Sequence, residues 1–337
     1  MKSRRLRIAL SLALSAICLG LAVRGVDWNE TLAALANAQY LMIIPITAAG
    51  IFTLYARAQR WRFFLRKLGQ PGMRTLVAAT NIGFMANMVL PLRAGEVIRP
   101  VLASRRERLP LSGVIATVLL ERVFDIFCVL LLLGLTMIVL PVSDRVRDWG
   151  VAATGGAIMV AGALAIAGWQ KVRVLNLFRL ALQLIPARAH EPLENFATGF
   201  LQALSVLDSP VAFLRAVVLS LYIWALICLT NAFGLLVFDL PVPLLFGAVA
   251  ITPILSLAVS VPSAPGFIGA FQLGCILALA LFGVNESHAI AYSIVMNFTM
   301  ILTFTGAGTY SLWSEGLSFR QIEAVSEETS VAARAQA

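Results

Sequence analysis

The chain has 337 residues, of which 60% are hydrophobic and 13% charged, with a formal net charge of +9 and a mean hydropathy of +0.88. That little polar content cannot solvate a globule of this size, which excludes an ordinary soluble domain and leaves a polytopic α-helical membrane protein. The Lys and Arg residues lie beside apolar runs, where they act as topology signals, so nucleic acid is not an expected partner.

The N-terminus, Met1 to Arg7 followed by the apolar Ile8 to Val23, resembles a secretory signal. Its apolar stretch is long enough to span, and no small-x-small cleavage site precedes a soluble domain, so it is read as the first span. Full spans are expected at about 8–26, 40–58, 112–140, 149–169, 211–238 and 288–313, each close to the ~20 apolar residues needed to cross ~30 Å of hydrocarbon. Alternating ten-residue strands are too few for a barrel.

Two stretches fit no simple span. The first, about 75–108, is apolar up to Leu90 and breaks at Pro91, with Arg57, Arg60, Arg62, Arg66, Lys67 and Arg74 before it and Arg105, Arg106 and Arg108 after it. A re-entrant hairpin keeps both basic flanks in the cytoplasm. The second, about 243–283, is interrupted by Val261-Pro262-Ser263-Ala264-Pro265-Gly266, a run that cannot continue a helix because proline removes a hydrogen bond and clashes with the preceding turn.

With a cytoplasmic N-terminus, Asp27 to Gln39 and Asp144 to Asp148 lie outside, and Lys171, Arg173, Arg179 and Arg188 inside. The expected fold is therefore six full spans plus two re-entrant broken-helix hairpins. They form an inverted-topology repeat, repeat A over about 8–140 and repeat B over about 149–313, within a transmembrane domain of residues 1–315. Residues of about 170–209 carry apolar side chains at helical spacing and read as a cytoplasmic linker of two amphipathic helices, either lipid-bound or packed on the bundle. The polar tail 316–337 is expected to be disordered, and both termini cytoplasmic.

Broken helices inside a membrane free backbone groups and often mark where a substrate sits. The expected breaks are Pro91 and Gly95 in the first hairpin, and Pro262, Pro265, Gly266 and Gly269 in the second. Arg93, Glu96 and Arg99 surround the first, where a guanidinium beside a helix start suits a phosphate; an Arg93–Glu96 or Glu96–Arg99 pair that ties down the hairpin is the alternative.

Glu121, Arg122 and Asp125 lie just ahead of the uninterrupted apolar run Ile126 to Leu140. That run covers only about 22 Å, so the charges are drawn into the cytoplasmic leaflet. Salt bridges to the first hairpin are the leading role for the two acids, with proton relay as the other. Arg122 is as suited to a lipid phosphate as to a structural pair. Arg57, Arg60, Trp61 and Arg62 read first as interface anchors. Most of the uncharged polar residues within apolar runs, Asn81, Asn87, Asn231 and Asn297 among them, read as helix glue. Ser263 and Gln272, beside the second break, are the ones expected to reach a headgroup.

Four cysteines without a Cys-x-x-Cys pair and two distant histidines, His190 and His288, suggest neither disulfides nor a zinc site. No cofactor and no metal are expected.

Arg57-Ala-Gln-Arg60-Trp61, Asn87-Met-Val-Leu-Pro91-Leu-Arg93-Ala-Gly95-Glu96-Val-Ile-Arg99, Glu121-Arg122-Val-Phe-Asp125 and Pro262-Ser-Ala-Pro265-Gly266-Phe-Ile-Gly269 occur in that order. Together they resemble the flippase-like transmembrane domain of lysylphosphatidylglycerol synthases and its stand-alone relatives, over about residues 5–315. The resemblance implies movement of anionic or modified phospholipids, or of lipid-linked glycans, between leaflets of a bacterial cytoplasmic membrane. It places functional weight on Arg93, Glu96, Arg99, Glu121, Arg122 and Asp125. This chain departs from the usual second motif, Pro-Gly-Gly-x-Gly with a following glutamate, by having Phe267 and Gln272. The soluble aminoacyl-transferase domain is not expected after Glu315.

A lipid flippase or scramblase that is not an enzyme is thus the leading expectation, with the site between the two hairpin tips. A transferase acting on a polyprenyl-linked or phospholipid substrate is the alternative, with Glu121 and Asp125 as its one conceivable metal pair. A membrane partner subunit without transport of its own is a third. The expected ligands are membrane lipids carrying an anionic or polar headgroup.

Overall fold

The structure, a computed structural model, describes residues 2–139, 144–170, 203–261, 263–319 and 321. Every regular element among them is helical: α1 (Lys2–Ala22), α2 (Trp28–Ala36), α3 (Ile43–Leu65), α4 (Met73–Val89), α5 (Gly95–Glu107), α6 (Leu111–Val139), α7 (Asp144–Trp169), α8 (Pro210–Val237), α9 (Leu244–Ser260), α10 (Ala270–Ala280) and α11 (Glu286–Ser314). The all-helical expectation holds. The linker expected over about 170–209 lies outside the described residues except for 170 and 203–209, as do Pro262 and, except for 316–319 and 321, the tail.

Tyr40–Leu65, Pro210–Val237 and Glu286–Ser314 are long and apolar enough to cross a membrane, and they correspond to the expected spans 40–58, 211–238 and 288–313. The expected spans 8–26, 112–140 and 149–169 fall on α1, α6 and α7. Of these, α6 runs for 29 residues and carries no charge apart from Glu121, Arg122 and Asp125.

Helix ends follow from local chemistry. The Asp27 carboxylate caps α2 by accepting from the Asn29 N–H at 2.8 Å, and the Asn285 side chain caps α11 by accepting from the His288 N–H at 2.9 Å. Both awkward stretches fold as helix, 3₁₀ turn, helix. In the first, α4 stops at Val89, Leu90 is extended as a residue before proline must be, and Pro91–Arg93 form the turn before α5. In the second, α9 stops at Ser260 and Pro265–Phe267 form the turn before α10.

The backbone groups freed at these breaks are largely satisfied from within the chain. The Gly95 N–H donates to Asn87 Oδ1 at 2.9 Å, the Ala264 N–H to Ser15 Oγ at 2.6 Å, and the Gly269 N–H to Gln272 Oε1 at 2.7 Å. The Gly266 carbonyl accepts from Asn297 Nδ2 at 2.8 Å. Asn87 and Asn297 therefore staple the breaks, a more specific task than joining helices.

Gly95 has a second constraint, because a Cβ there would overlap the Gly83 carbonyl oxygen of α4 and the Asn87 side chain. Gly95→Ala is expected to destabilise the protein by about 1–3 kcal/mol, the usual cost of forcing atoms into packed space. A fall in the melting temperature of the detergent-solubilised protein would show it, and an unchanged melting curve would contradict the close approach of α5 to α4.

The described chain forms two compact units, one of residues 1–54, 81–98 and 225–337, the other of 55–80 and 99–224. Each draws on both expected repeats. The first has a core around Ile46, Leu235, Ile251, Phe271, Cys275 and Tyr292. The core of the second includes Phe63, Phe64, Leu120, Phe124, Leu204 and Leu207. In a bilayer, where lipid tails are as apolar as these side chains, close packing and interhelical hydrogen bonds rather than removal from water hold each unit.

Candidate functional site

In the unit of residues 55–80 and 99–224, periodicity puts charge on matching faces. Arg57, Arg60 and Trp61 share one face of α3 at i, i+3 and i+4, Glu121 and Asp125 share one face of α6 at i and i+4, and α8 offers Ser220 and Trp224 at the same spacing. Arg99 comes from α5.

These residues form a continuous ionic cluster. Arg99 Nη1 donates to Glu121 Oε2 at 2.7 Å, and Arg99 Nη2 to Glu121 Oε1 at 3.4 Å, a bidentate fork. Arg60 bridges both acids, with Nε 3.7 Å from Glu121 Oε1 and Nη2 2.9 Å from Asp125 Oδ1. Arg57 and Arg122 approach Asp125 Oδ2 at 3.4 and 3.6 Å. The side chains of Arg60, Glu121 and Arg99 are 0%, 1% and 4% exposed, whereas that of Arg122 is 39% exposed.

Neutral groups hold the charges in place. Arg60 Nη1 donates to Ser220 Oγ at 3.0 Å, and Trp224 Nε1 to Asp125 Oδ1 at 3.4 Å. The Arg99 guanidinium lies 4.0 Å over the Trp61 ring, a cation–π contact, while Trp61 Nε1 donates to Thr117 Oγ1 at 3.0 Å. Arg60 and Trp61 are both 0% exposed. The expectation that they anchor the protein at the membrane interface is therefore corrected: an inward-facing arginine at a span end carries the same sequence mark as an anchor, and only its partners on α6 and α8 turn it inward.

The Glu121 pair with Arg99 is the bridge to the first broken segment that the spacing suggested, but Asp125 turns instead to Arg57, Arg60 and Arg122. The Nε groups of Arg60, Arg99 and Arg122 are buried and make no hydrogen bond among the described residues. Even leaving Arg57 aside, three guanidiniums share two carboxylates, so the cluster carries excess positive charge. A divalent cation between Glu121 and Asp125 would have to displace those guanidiniums, which makes the metal-pair alternative a poor fit.

The other unit, residues 1–54, 81–98 and 225–337, contains both breaks. Arg93 Nη1 lies 3.4 Å from Glu96 Oε1, so of the two pairs open to Glu96 the one with Arg93 forms, and Arg99 goes to Glu121. The Arg93 guanidinium also sits 5.6 Å from the Phe267 ring centroid. Phe267, the departure from the usual second motif, is thus what the first break meets at the second. Both residues have left-handed backbone, φ 54° and φ 60°, which costs on the order of 1 kcal/mol each and is a mark of functional segments. Gln272 spends its Oε1 on the Gly269 N–H. Ser263 is 9% exposed, and its Oγ is buried with no hydrogen-bond partner among the described residues. Arg93 and Arg122, expected to act together, fall in different units.

A family profile described as the lysylphosphatidylglycerol synthase TM region matches residues 8–308. The chain belongs to the lysylphosphatidylglycerol synthase TM region family. Two curated relatives bear on what this member of the family does. One, named glycosyltransferase AglD, from Haloferax volcanii, is 26% identical over 326 residues, covering 87% of this chain and 52% of that protein. The other, named UPF0104 membrane protein, from Methanothermobacter thermautotrophicus, is 24% identical over 295 residues, covering 83% of this chain and 85% of that protein. No solved structure matches.

The chain spans about half the length of the relative named a glycosyltransferase. That relative's name points to an enzyme and overturns the expectation that this family member is not one. The physical reason the expectation failed is that it rested on the absence of familiar catalytic loop motifs. Such an absence says little in a membrane domain whose polar groups are spread over several helices.

Proposed function

We propose that this family member binds a phosphate-bearing lipid headgroup at the arginine cluster and moves that lipid between leaflets. The observation that carries the proposal is the sharing of Glu121 and Asp125 by Arg60, Arg99 and Arg122, with Arg122 at the accessible edge. Uncompensated charge among apolar helices is costly and calls for an anion. The half-exposed Arg122 guanidinium can offer a phosphate a charge-assisted contact. Anionic phospholipids or lipid-linked polar headgroups are the ligands this chemistry suits. In the other unit, Arg93, Glu96, Ser263 and Gln272 would line the path at the breaks.

The same proposal includes six full spans, with α4–α5 and α9–α10 as re-entrant hairpins entering from opposite faces, in the cytoplasmic membrane with both termini inside. Helix–turn–helix geometry at both breaks supports it. An impermeant maleimide is expected to label Arg106→Cys only from the cytoplasmic face and Asn29→Cys only from outside. Labelling of both from one face would rule the arrangement out.

A second reading has its own support in the relative named a glycosyltransferase: the domain presents a polyprenyl-linked or phospholipid substrate for group transfer. Reconstituted vesicles separate the two. Accelerated leaflet exchange of a fluorescent anionic lipid supports translocation, whereas product formation from a sugar donor without exchange supports transfer.

A further inference from the structure

The unit of residues 1–54, 81–98 and 225–337 encloses a cavity of about 150 Å³ between α3, α8, α9, α10 and α11, distinct from the arginine cluster. Its wall holds no charged residue. Leu255, Val259, Phe271, Met296, Met300 and Phe304 are among its apolar lining. The hydroxyl-bearing residues in the wall present little polarity. Thr53, Thr230, Thr252, Ser256, Thr299 and Thr303 each donate to the carbonyl four residues back at 2.7–2.9 Å. Asn231 is likewise engaged, its Nδ2 donating to Thr252 Oγ1 at 2.8 Å and its Oδ1 accepting from the Tyr292 hydroxyl at 3.3 Å. The hydroxyl hydrogens are all spent, so the wall has no hydroxyl donor and no cation for a phosphate or carboxylate.

The cavity's position says what fills it. Its wall residues on α3 and α11 lie near the middle of the spanning stretches Tyr40–Leu65 and Glu286–Ser314. Gly50, Ile227, Thr230, Ser256, Val259, Met300 and Phe304 remain partly exposed, so the cavity is not sealed, and at this depth the surroundings of a spanning helix are hydrocarbon rather than water. An apolar cavity of comparable size stays dry and takes up apolar guests. The geometry points to a binding site for a single hydrocarbon chain of a membrane lipid. This inference is independent of the headgroup reading, since it concerns a different unit and a wall without charge.

The test is photolabelling of the full-length protein in nanodiscs, with phosphatidylglycerol and with phosphatidylcholine carrying a diazirine at the end of one acyl chain. A chain inside the cavity labels Leu255, Phe271 and Met296, which are 5%, 6% and 5% exposed, as well as the outward Phe298 and Leu302, at 60% and 56%. Both lipids are expected to give the inner adducts. Gly50→Leu fills the cavity from α3, where a Cβ would already stand 3.1 Å from Thr303 Cγ2. By occupying the space itself it is expected to lower the inner adducts at least about tenfold, while leaving Phe298 and Leu302 labelled. Thr299→Leu fills the same space from α11 and replaces the first variant if that one does not fold. Adducts confined to Phe298 and Leu302, inner adducts that survive both variants, or inner labelling that requires the anionic headgroup would overturn the inference. Loss of leaflet exchange in Arg122→Gln with inner labelling intact would affect only the headgroup reading.

Discussion

Glu121→Ala is expected to cost about 3–5 kcal/mol of stability, because it leaves Arg99 and Arg60 buried without their shared counter-charge. The Glu121 side chain is 1% exposed and takes both guanidiniums, Arg99 at 2.7 Å and Arg60 at 3.7 Å. Neither arginine can swing out to solvent: Arg60 is 0% exposed with Nη1 on Ser220, and Arg99 lies against the Trp61 ring. Glu121→Gln keeps the shape and one acceptor but loses the charge, so it should fall between wild type and the alanine variant. Glu121→Leu combined with Arg99→Met removes a charge of each sign and should recover much of the loss, since a well-packed apolar pair often equals a buried ionic one. Heating the detergent-solubilised variants and following the folded fraction would show a drop of roughly 6 °C or more for Glu121→Ala. A melting temperature within a degree of wild type would mean that Glu121 is not the buried counter-charge described.

Arg122→Gln is expected to behave in the opposite way, with stability kept and function lost. Its side chain is 39% exposed, and the carboxylate it approaches, Asp125, already holds Arg60 at 2.9 Å. Losing one charge at this edge should therefore change the melting temperature little. If the guanidinium meets a lipid phosphate, the charge-assisted contact is worth about 1.5–3 kcal/mol, or roughly 10- to 150-fold in the rate of leaflet exchange if it is made only in transit. The reconstituted exchange assay should show this for an anionic lipid and a smaller effect for Arg122→Lys, which keeps charge but not the fork. Unaltered exchange in Arg122→Gln, with Glu121→Gln equally unaltered, would remove the cluster from the transport path.

Much of the site was visible along the chain because membrane proteins tolerate charge within apolar runs only where it has partners. That alone singled out Arg99, Glu121, Arg122 and Asp125. The breaks were legible for a different reason: proline lacks the N–H and forces its predecessor extended, so the turns at Pro91 and Pro265 could be placed without knowing any neighbour. Arg60 and Trp61 were misread because interface anchoring and inward ion pairing place the same residue types at the same end of a span. The i, i+3, i+4 spacing of Arg57, Arg60 and Trp61 against the i, i+4 spacing of Glu121 and Asp125 was the available signal, and it has meaning only once α3 is known to face α6.

The sequence by itself determined the all-helical membrane class, the helix breaks and the family, since these depend on hydropathy, on backbone chemistry at Pro and Gly, and on ordered motifs. Only the tertiary structure decided which charge meets which, that Asn87, Asn297, Ser15 and Gln272 satisfy the freed backbone groups, and that an uncharged cavity lies beside Gly50 and Met296. The physical reason is that pairing energies fall off within a few ångströms, while partners can be as far apart along the chain as Ser15 and Ala264, 249 positions.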